Sequence, residues 1–355
     1  MPRKRPVRVG IVGCGIIAQR QHIPSLLRTK EAEIVAICDK DKALLNSIGS
    51  RLKTNKCFSD FSQMLSQEEL DLVDICTPPH THPELAIEAA ESGCHVLVEK
   101  PAALTLEEFD RIAAACTRNG VKLCQIQNKM FEPVVMGLMQ QVESGDIGEV
   151  VGVDIKVLSR RAAELAKNAD HWYNDLPAGV FTEILPHPIY LAQAFLGTVD
   201  PVGVCVKKAN RNQHATSDTI KVILEGKMGI GIISYSGPAT KDKTIIDING
   251  TRKNLRVDLW NSAKVEYGMG GISRASRAWE NLGQCLSLLQ CSAGTTISVL
   301  TGRFHSGHFT IIKRFAESIR DGTDQPVSIE QAREVIRVLE SITEMAAPDK
   351  ATREV

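Results

Sequence analysis

Val7-Arg8-Val9-Gly10-Ile11-Val12-Gly13-Cys14-Gly15-Ile16-Ile17-Ala18 reads as a β-rich strand, a glycine turn and the opening of a helix that runs to about Thr29. Each small residue in it has a steric reason. Gly13 permits the tight turn, Gly15 removes the Cβ that would block a pyrophosphate, and Ala18 lets the helix pack close on the strand. The helix N-terminus, with Ile16 and Ile17 in its first turn, presents free N–H groups and a positive dipole end to phosphates. A second apolar run, Glu33–Cys38, ends in Asp39. That acid lies about 20 residues on, where a carboxylate can accept from both ribose hydroxyls of a dinucleotide. It would repel a 2′-phosphate and so favours NAD over NADP, a preference that the neighbouring Lys40 weakens. The competing reading is a glycine turn in an α/β protein that binds something else. Arg20 and His22, just past the turn, read as surface residues or as neighbours of the phosphates without a chemical role.

The alternation of strand and helix continues outward. A helix over Asp41–Leu52 is followed by the buried run Leu72–Cys76 and the breaker Thr77-Pro78-Pro79. Helix Glu84–Glu91 stops at Gly93, strand His95–Val98 follows, and helix Leu106–Arg118 leads to strand Lys122–Gln127. Strands alternating with helices of this length imply βαβ units and a parallel sheet with helices on both faces. After about Asn128 the rhythm changes to strands at Val150–Leu158, Val202–Lys207, Thr219–Glu225, Gly229–Ser236, Thr244–Ile248 and Leu255–Trp260. Asn249-Gly250 is a hairpin signal between two of them, and the set predicts a mainly antiparallel sheet. Val134–Ser144 reads as a helix ending at Gly145, and helical patterns at Ile189–Phe195, His308–Arg320 and Ile329–Met345 would cover one face. Ser273–Leu289 is also helix-like, with a lid, an oligomer contact and plain core all open as its role.

Composition narrows the function classes. The 355 residues carry 42 basic and 42 acidic side chains, so no net charge draws the chain to nucleic acid or an anionic membrane. Hydrophobic residues make up 43%, too many for a disordered chain. The basic start (Arg3, Lys4, Arg5, Arg8) is not followed by a long apolar run, so neither a signal peptide nor a membrane span is expected. Ten scattered cysteines without a C-x-x-C fit a reduced, cytoplasmic protein with buried thiols, and no metal site is expected from them. Cys14 stands apart, because a helix N-terminus there would lower its pKa and oxidation would obstruct a cofactor.

Val98-Glu99-Lys100-Pro101 places a lysine at the carboxyl end of the fourth strand, the edge where open α/β sheets bind ligands. A lysine there can polarise a hydroxyl or carbonyl, although a lone strand-end lysine is more often a surface charge. Three segments together resemble the glucose–fructose oxidoreductase, inositol dehydrogenase and rhizopine catabolism (Gfo/Idh/MocA) oxidoreductases. They are the Gly13–Ala18 turn, Asp74-Ile-Cys-Thr77-Pro78-Pro79-His80-Thr81-His82 running on through Gly93–Pro101, and Ser144-Gly-Asp-Ile-Gly-Glu-Val150. The resemblance implies an N-terminal Rossmann doubly wound parallel sheet over 1–127, followed by an α+β domain with a large, mostly antiparallel open sheet over 128–355. The C-terminal helix 329–346 is a candidate to pack back on the first domain. The resemblance further implies that Lys100 is catalytic and contacts both cofactor and substrate, and that Glu99 and Pro101 shape its loop. Thr77, Pro78 and His82 would line the cofactor pocket. His80 has no assigned role; a His80-x-His82 metal pair lacks a third ligand nearby.

Members of the family commonly carry a glycine stretch followed by an Asp, a His and a further Asp or His. Here Pro177-Ala178-Gly179, Glu183, His187 and Tyr190 stand in those places. Tyr190 departs from the pattern, and both a catalytic and a structural role stay open for it. His187 precedes Pro188 and is biased away from helical dihedrals. It is therefore expected to cap the following helix, whose dipole would favour a neutral imidazole able to take a proton. Glu183 would orient Lys100, bind a substrate hydroxyl or pair with a surface cation. Asp170-His171-Trp172-Tyr173-Asn174-Asp175 is polar and aromatic, which suits a sugar ring; His171 and Trp172 are the substrate-contact candidates, with core packing the alternative for Trp172. Asn128, near the nicotinamide, and Lys129, toward substrate, end the fifth strand; Arg160-Arg161 reads as a solvated pair.

These readings converge on an NAD-dependent (less readily NADP-dependent) oxidoreductase. Its substrate would be a secondary alcohol or ketone of a sugar, sugar derivative, nucleotide sugar or cyclitol, and its form a homodimer or homotetramer through the second-domain sheet. The alternatives are a non-catalytic NAD(P)-binding regulator and an enzyme that uses bound NAD for transient oxidation in elimination, hydrolysis or epimerisation.

Overall fold

Ile11 and Val12, on opposite faces of one strand, are 0% and 4% exposed, the mark of a parallel sheet covered on both faces. The computed structural model describes residues 5–168, 170–208, 218–268, 273–302 and 305–346. The chain divides into two compact units, Met1–Phe131 with Ser306–Arg337, and Glu132–His305 with Val338–Val355.

The first unit is built from β1 (Val7–Val12), α1 (Ile23–Arg28), β2 (Ala32–Cys38), α2 (Lys42–Leu52), β3 (Cys57–Phe58), α3 (Phe61–Gln67), β4 (Leu72–Ile75), α4 (His82–Glu91), β5 (His95–Val98), α5 (Leu106–Arg118) and β6 (Leu123–Gln125). The six strands lie in the order β3-β2-β1-β4-β5-β6, every pair parallel. This is the dinucleotide-binding strand order, with the crossover point between β1 and β4. Local signals agree with the elements. Asp41 caps α2 by accepting from the Ala43 and Leu44 N–H groups. Thr105 and Glu108 form a reciprocal capping box on α5, worth roughly 1 kcal/mol. The carboxyl edge of the sheet carries the Gly13 turn, Thr77, Lys100 and Asn128 side by side in strand order.

The second unit contains α6 (Pro133–Glu143), β7 (Val150–Leu158), α7 (Arg160–Leu165), α8 (Val180–Ile184), α9 (Pro186–Leu196), β8 (Val199–Lys207), β9 (Thr219–Gly226), β10 (Ile230–Ser236), β11 (Lys243–Gly250), β12 (Asn254–Asp258), β13 (Ala263–Tyr267) and α10 (Arg274–Leu300). Its seven-stranded sheet runs β13-β12-β11-β7-β10-β9-β8. Every pairing is antiparallel except β7 with β10. One face packs on α9 through residues such as Ile155, Val222 and Ile233, all buried. The opposite face leaves Ile223 paired directly with Ile232, both exposed.

The chain ends with α11 (Gly307–Asp321) and α12 (Ile329–Ala346). Ile311, Ile312, Phe315 and Ala316 of α11, with Ala332 and Ile336 of α12, join the core of the first unit. A sequence boundary at 127 assigns α11 to the second domain and leaves only the helix over 329–346 as a candidate to pack back on the first. An amphipathic helix shows that it has an apolar face, not which sheet that face meets. Three other expectations change. Asn249-Gly250 ends β11 instead of forming a two-residue turn, since Asn249 still pairs with Asn254. The helix expected over Ser273–Leu289 extends to Leu300 and has no buried residue, which removes plain core from its possible roles. Cys205 and Cys285 are exposed, although Cys14, Cys38, Cys76, Cys94, Cys116 and Cys124 are buried as expected.

Candidate active site

The glycine turn is held from below. Gly13 has φ +89°, and its N–H donates to Cys38 O at 2.9 Å. A Cβ at Gly13 would lie 2.8 Å from the Cys76 carbonyl carbon. Gly15 is the opposite case, since a Cβ there would meet nothing within 4 Å. The turn is thus packed against protein at Gly13 and bare at Gly15, while Ile16 is 55% exposed and Ala18 fully buried. The Asp39 carboxylate closes the turn by accepting the Cys14 N–H at 2.7 Å and the Asp41 N–H at 2.8 Å. A bare turn, a helix start and an acid at the end of β2 fit a dinucleotide. The Cys14 thiol is buried, and burial together with Asp39 pushes it up to about 12. That reverses the expectation of a reactive thiol: the side chain points into the core, away from the helix dipole's open end.

Behind the carboxyl edge lies a buried polar cluster. A π-helical turn, Ala18–His22, precedes α1 and ends on His22, which is fully buried. His22 Nδ1 donates to both Asp74 oxygens at 2.9 Å, and Nε2 faces Glu99 Oε1 at 2.8 Å. Glu99 Oε2 accepts the Lys100 backbone N–H at 3.0 Å. His308 Nε2 is 3.6 Å from the same Glu99 Oε1, and Asn128 Nδ2 is 3.3 Å from His308 Nδ1. Burial opposes charge on His22, but Asp74 and its neighbours hold the imidazole well above its usual range. Burial likewise opposes charge on Glu99, but hydrogen bonds from His22 and His308 hold its carboxyl well below the usual range. Burial pulls the His308 imidazole below its usual range. The reading of His22 as a surface or phosphate-side residue is therefore corrected: it bridges two carboxylates in the core.

Lys100 is 8% exposed and precedes a cis peptide bond to Pro101. His82 is fully buried, its Nδ1 2.8 Å from Pro101 O and its Nε2 2.8 Å from Thr77 O. It ties the Thr77 and Pro101 loops together from behind instead of lining a pocket, and burial lowers its pKa. Thr77 and Pro78 are partly exposed, and Thr77 Oγ1 accepts from the Thr81 hydroxyl at 2.7 Å. Asn128 and Lys129 lie in a 3-10 turn after β6.

In the second unit, His187 is the second residue of α9, not its cap. Pro186 and Pro188 both fall in the first turn, where no intrahelical N–H is needed, and this outweighs the bias against helix before a proline. His187 Nδ1 is 2.8 Å from the hydroxyl of Tyr190, which is 2% exposed. One helical turn thus pairs the two side chains. Glu183, on α8, is half-buried. His171 stacks on Trp172 with ring centroids 5.6 Å apart, and Tyr173 sits edge-on to both. None of the three rings is buried, so the core-packing alternative for Trp172 is set aside.

Comparison with known proteins decides the family. Residues 7–127 match the NAD-binding Rossmann fold of an oxidoreductase family, and residues 139–353 match that family's C-terminal alpha/beta domain. The chain belongs to the Gfo/Idh/MocA oxidoreductases. D-apiose dehydrogenase of Paraburkholderia graminis is 28% identical over 260 residues, 70% of this chain and 66% of that protein, just under two thirds of its length. Myo-inositol 2-dehydrogenase of Thermotoga maritima is 27% identical over 235 residues, 65% of this chain and 68% of that protein. In structure, the WlbA dehydrogenase of Bordetella pertussis, solved with NADH and UDP-GlcNAcA, superposes with a TM-score of 0.81 at 24% identity over 97% of both chains. For this Gfo/Idh/MocA chain, sequence reasoning missed Asp74 and His308. Asp74 had a usable signal: an acid in the fully buried strand Leu72–Ile75 needs a partner. His308 had none, because only the tertiary fold brings it to Glu99.

Proposed function

We propose that this chain transfers a hydride between NAD and a secondary alcohol or ketone of a sugar, sugar derivative, nucleotide sugar or cyclitol. The observation that carries the reading is Lys100, buried at the end of β5 on the sheet edge that also carries the bare turn at Gly15. The nicotinamide supplies the hydride acceptor or donor; the chain supplies the rest. Gly13, Gly15, Ile16, Ile17 and Ala18 seat the pyrophosphate, and Thr77, Pro78 and Asn128 border the rest of the cofactor. Lys100 polarises the reacting oxygen. His187 moves the proton: with its Nδ1–H donated to the Tyr190 oxygen, Nε2 is the acceptor. Glu183, Lys129, His171 and Trp172 contact the substrate, whose ring faces suit the aromatic cluster. Replacing Tyr190 with phenylalanine removes one buried hydrogen bond, so kcat should fall about tenfold with KM little changed, measured by steady-state kinetics.

NAD is preferred because a 2′-phosphate would meet the Asp39 carboxylate. Asp39→Asn keeps an acceptor for the Cys14 N–H and removes the charge. The ratio of kcat/KM for NAD over NADP should then narrow by about tenfold or more, read with both cofactors. A homodimer or homotetramer through the second-domain sheet is supported by exposed Ile223, Ile230 and Ile232 on one face. A cytoplasmic location is supported by ten free cysteines. No described helix is long and apolar enough to cross a membrane. The test is a screen of D-apiose, myo-inositol and UDP-GlcNAcA with each cofactor, followed by nicotinamide absorbance. Net absorbance change with one of them supports the reading; consumption of substrate without it assigns transient oxidation instead.

A further inference from the structure

We propose that His22 and His308 are positioning residues for Lys100, acting through a saturated Glu99 carboxylate. The inference rests on the reading of Lys100 as the oxygen-polarising group. Glu99 Oε1 is shared by His22 at 2.8 Å and His308 at 3.6 Å, and Oε2 takes the Lys100 backbone N–H at 3.0 Å. His22 is anchored in turn by Asp74, and His308 by Asn128. The cluster therefore ties the turn before α1, β4, the end of β5, the turn after β6 and the start of α11 to the peptide that launches Lys100. Asp74 and Glu99 are 0% and 5% exposed. Two carboxyl groups that deep need close polar partners, and the His22 imidazole bridges them, Nδ1 to Asp74 and Nε2 to Glu99. The groups facing His22 are Asp74 from β4, Cys76 just after β4, Glu99 just after β5 and His308 from α11, with Lys129 acting on His308. A carboxylate with every oxygen engaged cannot rotate, so the strand end behind Lys100 has one arrangement. Positioning of this kind has leverage, since a displacement of about 1 Å at a reacting group costs on the order of 100-fold in rate.

His22 Nε2, Glu99 Oε1 and His308 Nε2 also lie together as three ligand atoms would. The spacing favours a proton between them: 2.8 Å is a hydrogen-bond length, whereas ligand atoms around tetrahedral zinc stand about 3.3 Å apart.

The test uses the full-length protein and the variants His22→Gln, His308→Gln and Lys100→Ala. Kinetics use whichever of D-apiose, myo-inositol and UDP-GlcNAcA the wild type oxidises. His22→Gln should lower kcat about 100-fold and His308→Gln about tenfold, with KM and the NADH Kd within about threefold of wild type. In 15N-histidine NMR, both ring nitrogens of His22 should stay protonated at pH 7, above the usual 6.5. Hydrogen exchange of the peptide spanning 98–103 should quicken about tenfold in both variants while β1 is unchanged, a readout that needs no substrate. If His22→Gln does not fold, His308→Gln decides the matter on the same readouts. Folded variants with wild-type kcat and exchange, an unprotonated His22 nitrogen at pH 7, or stoichiometric zinc in the purified protein would overturn the inference. Full turnover in Lys100→Ala would instead sink the underlying reading, whatever the histidine variants do.

Discussion

Replacing Lys100 with alanine is expected to lower kcat about a thousandfold while NADH binds within about threefold of the wild-type Kd. Both halves follow from where the side chain sits. Lys100 lies two residues past β5, and the phosphate-binding turn follows β1, with β4 between the two strands in the sheet. In the proposed mechanism, removing the ammonium takes away the group that would stabilise charge on the substrate oxygen as hydride leaves, an effect made only in the transition state. The backbone N–H of residue 100 still reaches Glu99 Oε2, because that bond does not involve the side chain. The loop should therefore keep its shape, and circular dichroism melting should shift little. Isothermal titration with NADH and steady-state kinetics together check the split. Loss of cofactor affinity in step with kcat would show that Lys100 holds the cofactor rather than serving the reaction.

The second large effect separates two glycines of the same turn. Gly15→Val should weaken NADH binding by about 100-fold or more, some 2.7 kcal/mol, and leave the melting temperature near wild type. Nothing lies within 4 Å of a Cβ at Gly15, so the new side chain costs the fold little and fills the space a pyrophosphate would occupy. Gly13→Ala should do the reverse to stability. At φ +89° and with the Cys76 carbonyl carbon 2.8 Å from the new Cβ, strain of about 2 kcal/mol should lower the melting temperature by about 5 °C. Differential scanning calorimetry and NADH fluorescence titration on the two variants give both readouts. Equal destabilisation by both would mean that the turn is merely packed and that Gly15 does not face a ligand.

How much of this was legible in the chain follows from which forces are local. The strand Val150–Leu158 and the helix Leu106–Arg118 have the bounds that their periodicity predicted, because alternation and a capping box are written in adjacent residues. Strand Cys57–Phe58 escaped, since two residues carry no period. The glycine turn and Asp39 were readable because each residue type has a steric or electrostatic reason independent of the rest of the fold. His187 was placed two positions wrong, as a cap, because one proline rule was applied without its partner at Pro186. The cluster around Glu99 was the least legible part. It joins His22, Asp74 and His308 across as many as 286 positions, and only Asp74, an acid inside an apolar strand, announced that a partner had to exist. Likewise α11 shows its apolar face in the sequence but not the sheet that receives it.

Net hydride transfer to NAD can be followed atom by atom. Myo-inositol, D-apiose and UDP-GlcNAcA, each deuterated at its carbinol carbons, can be incubated with wild-type protein and NAD, and the cofactor analysed by mass spectrometry. One of them should yield stoichiometric NADH carrying the deuterium, and Lys100→Ala should yield none on the same time scale. Turnover in which the deuterium never accumulates on the nicotinamide would contradict net hydride transfer.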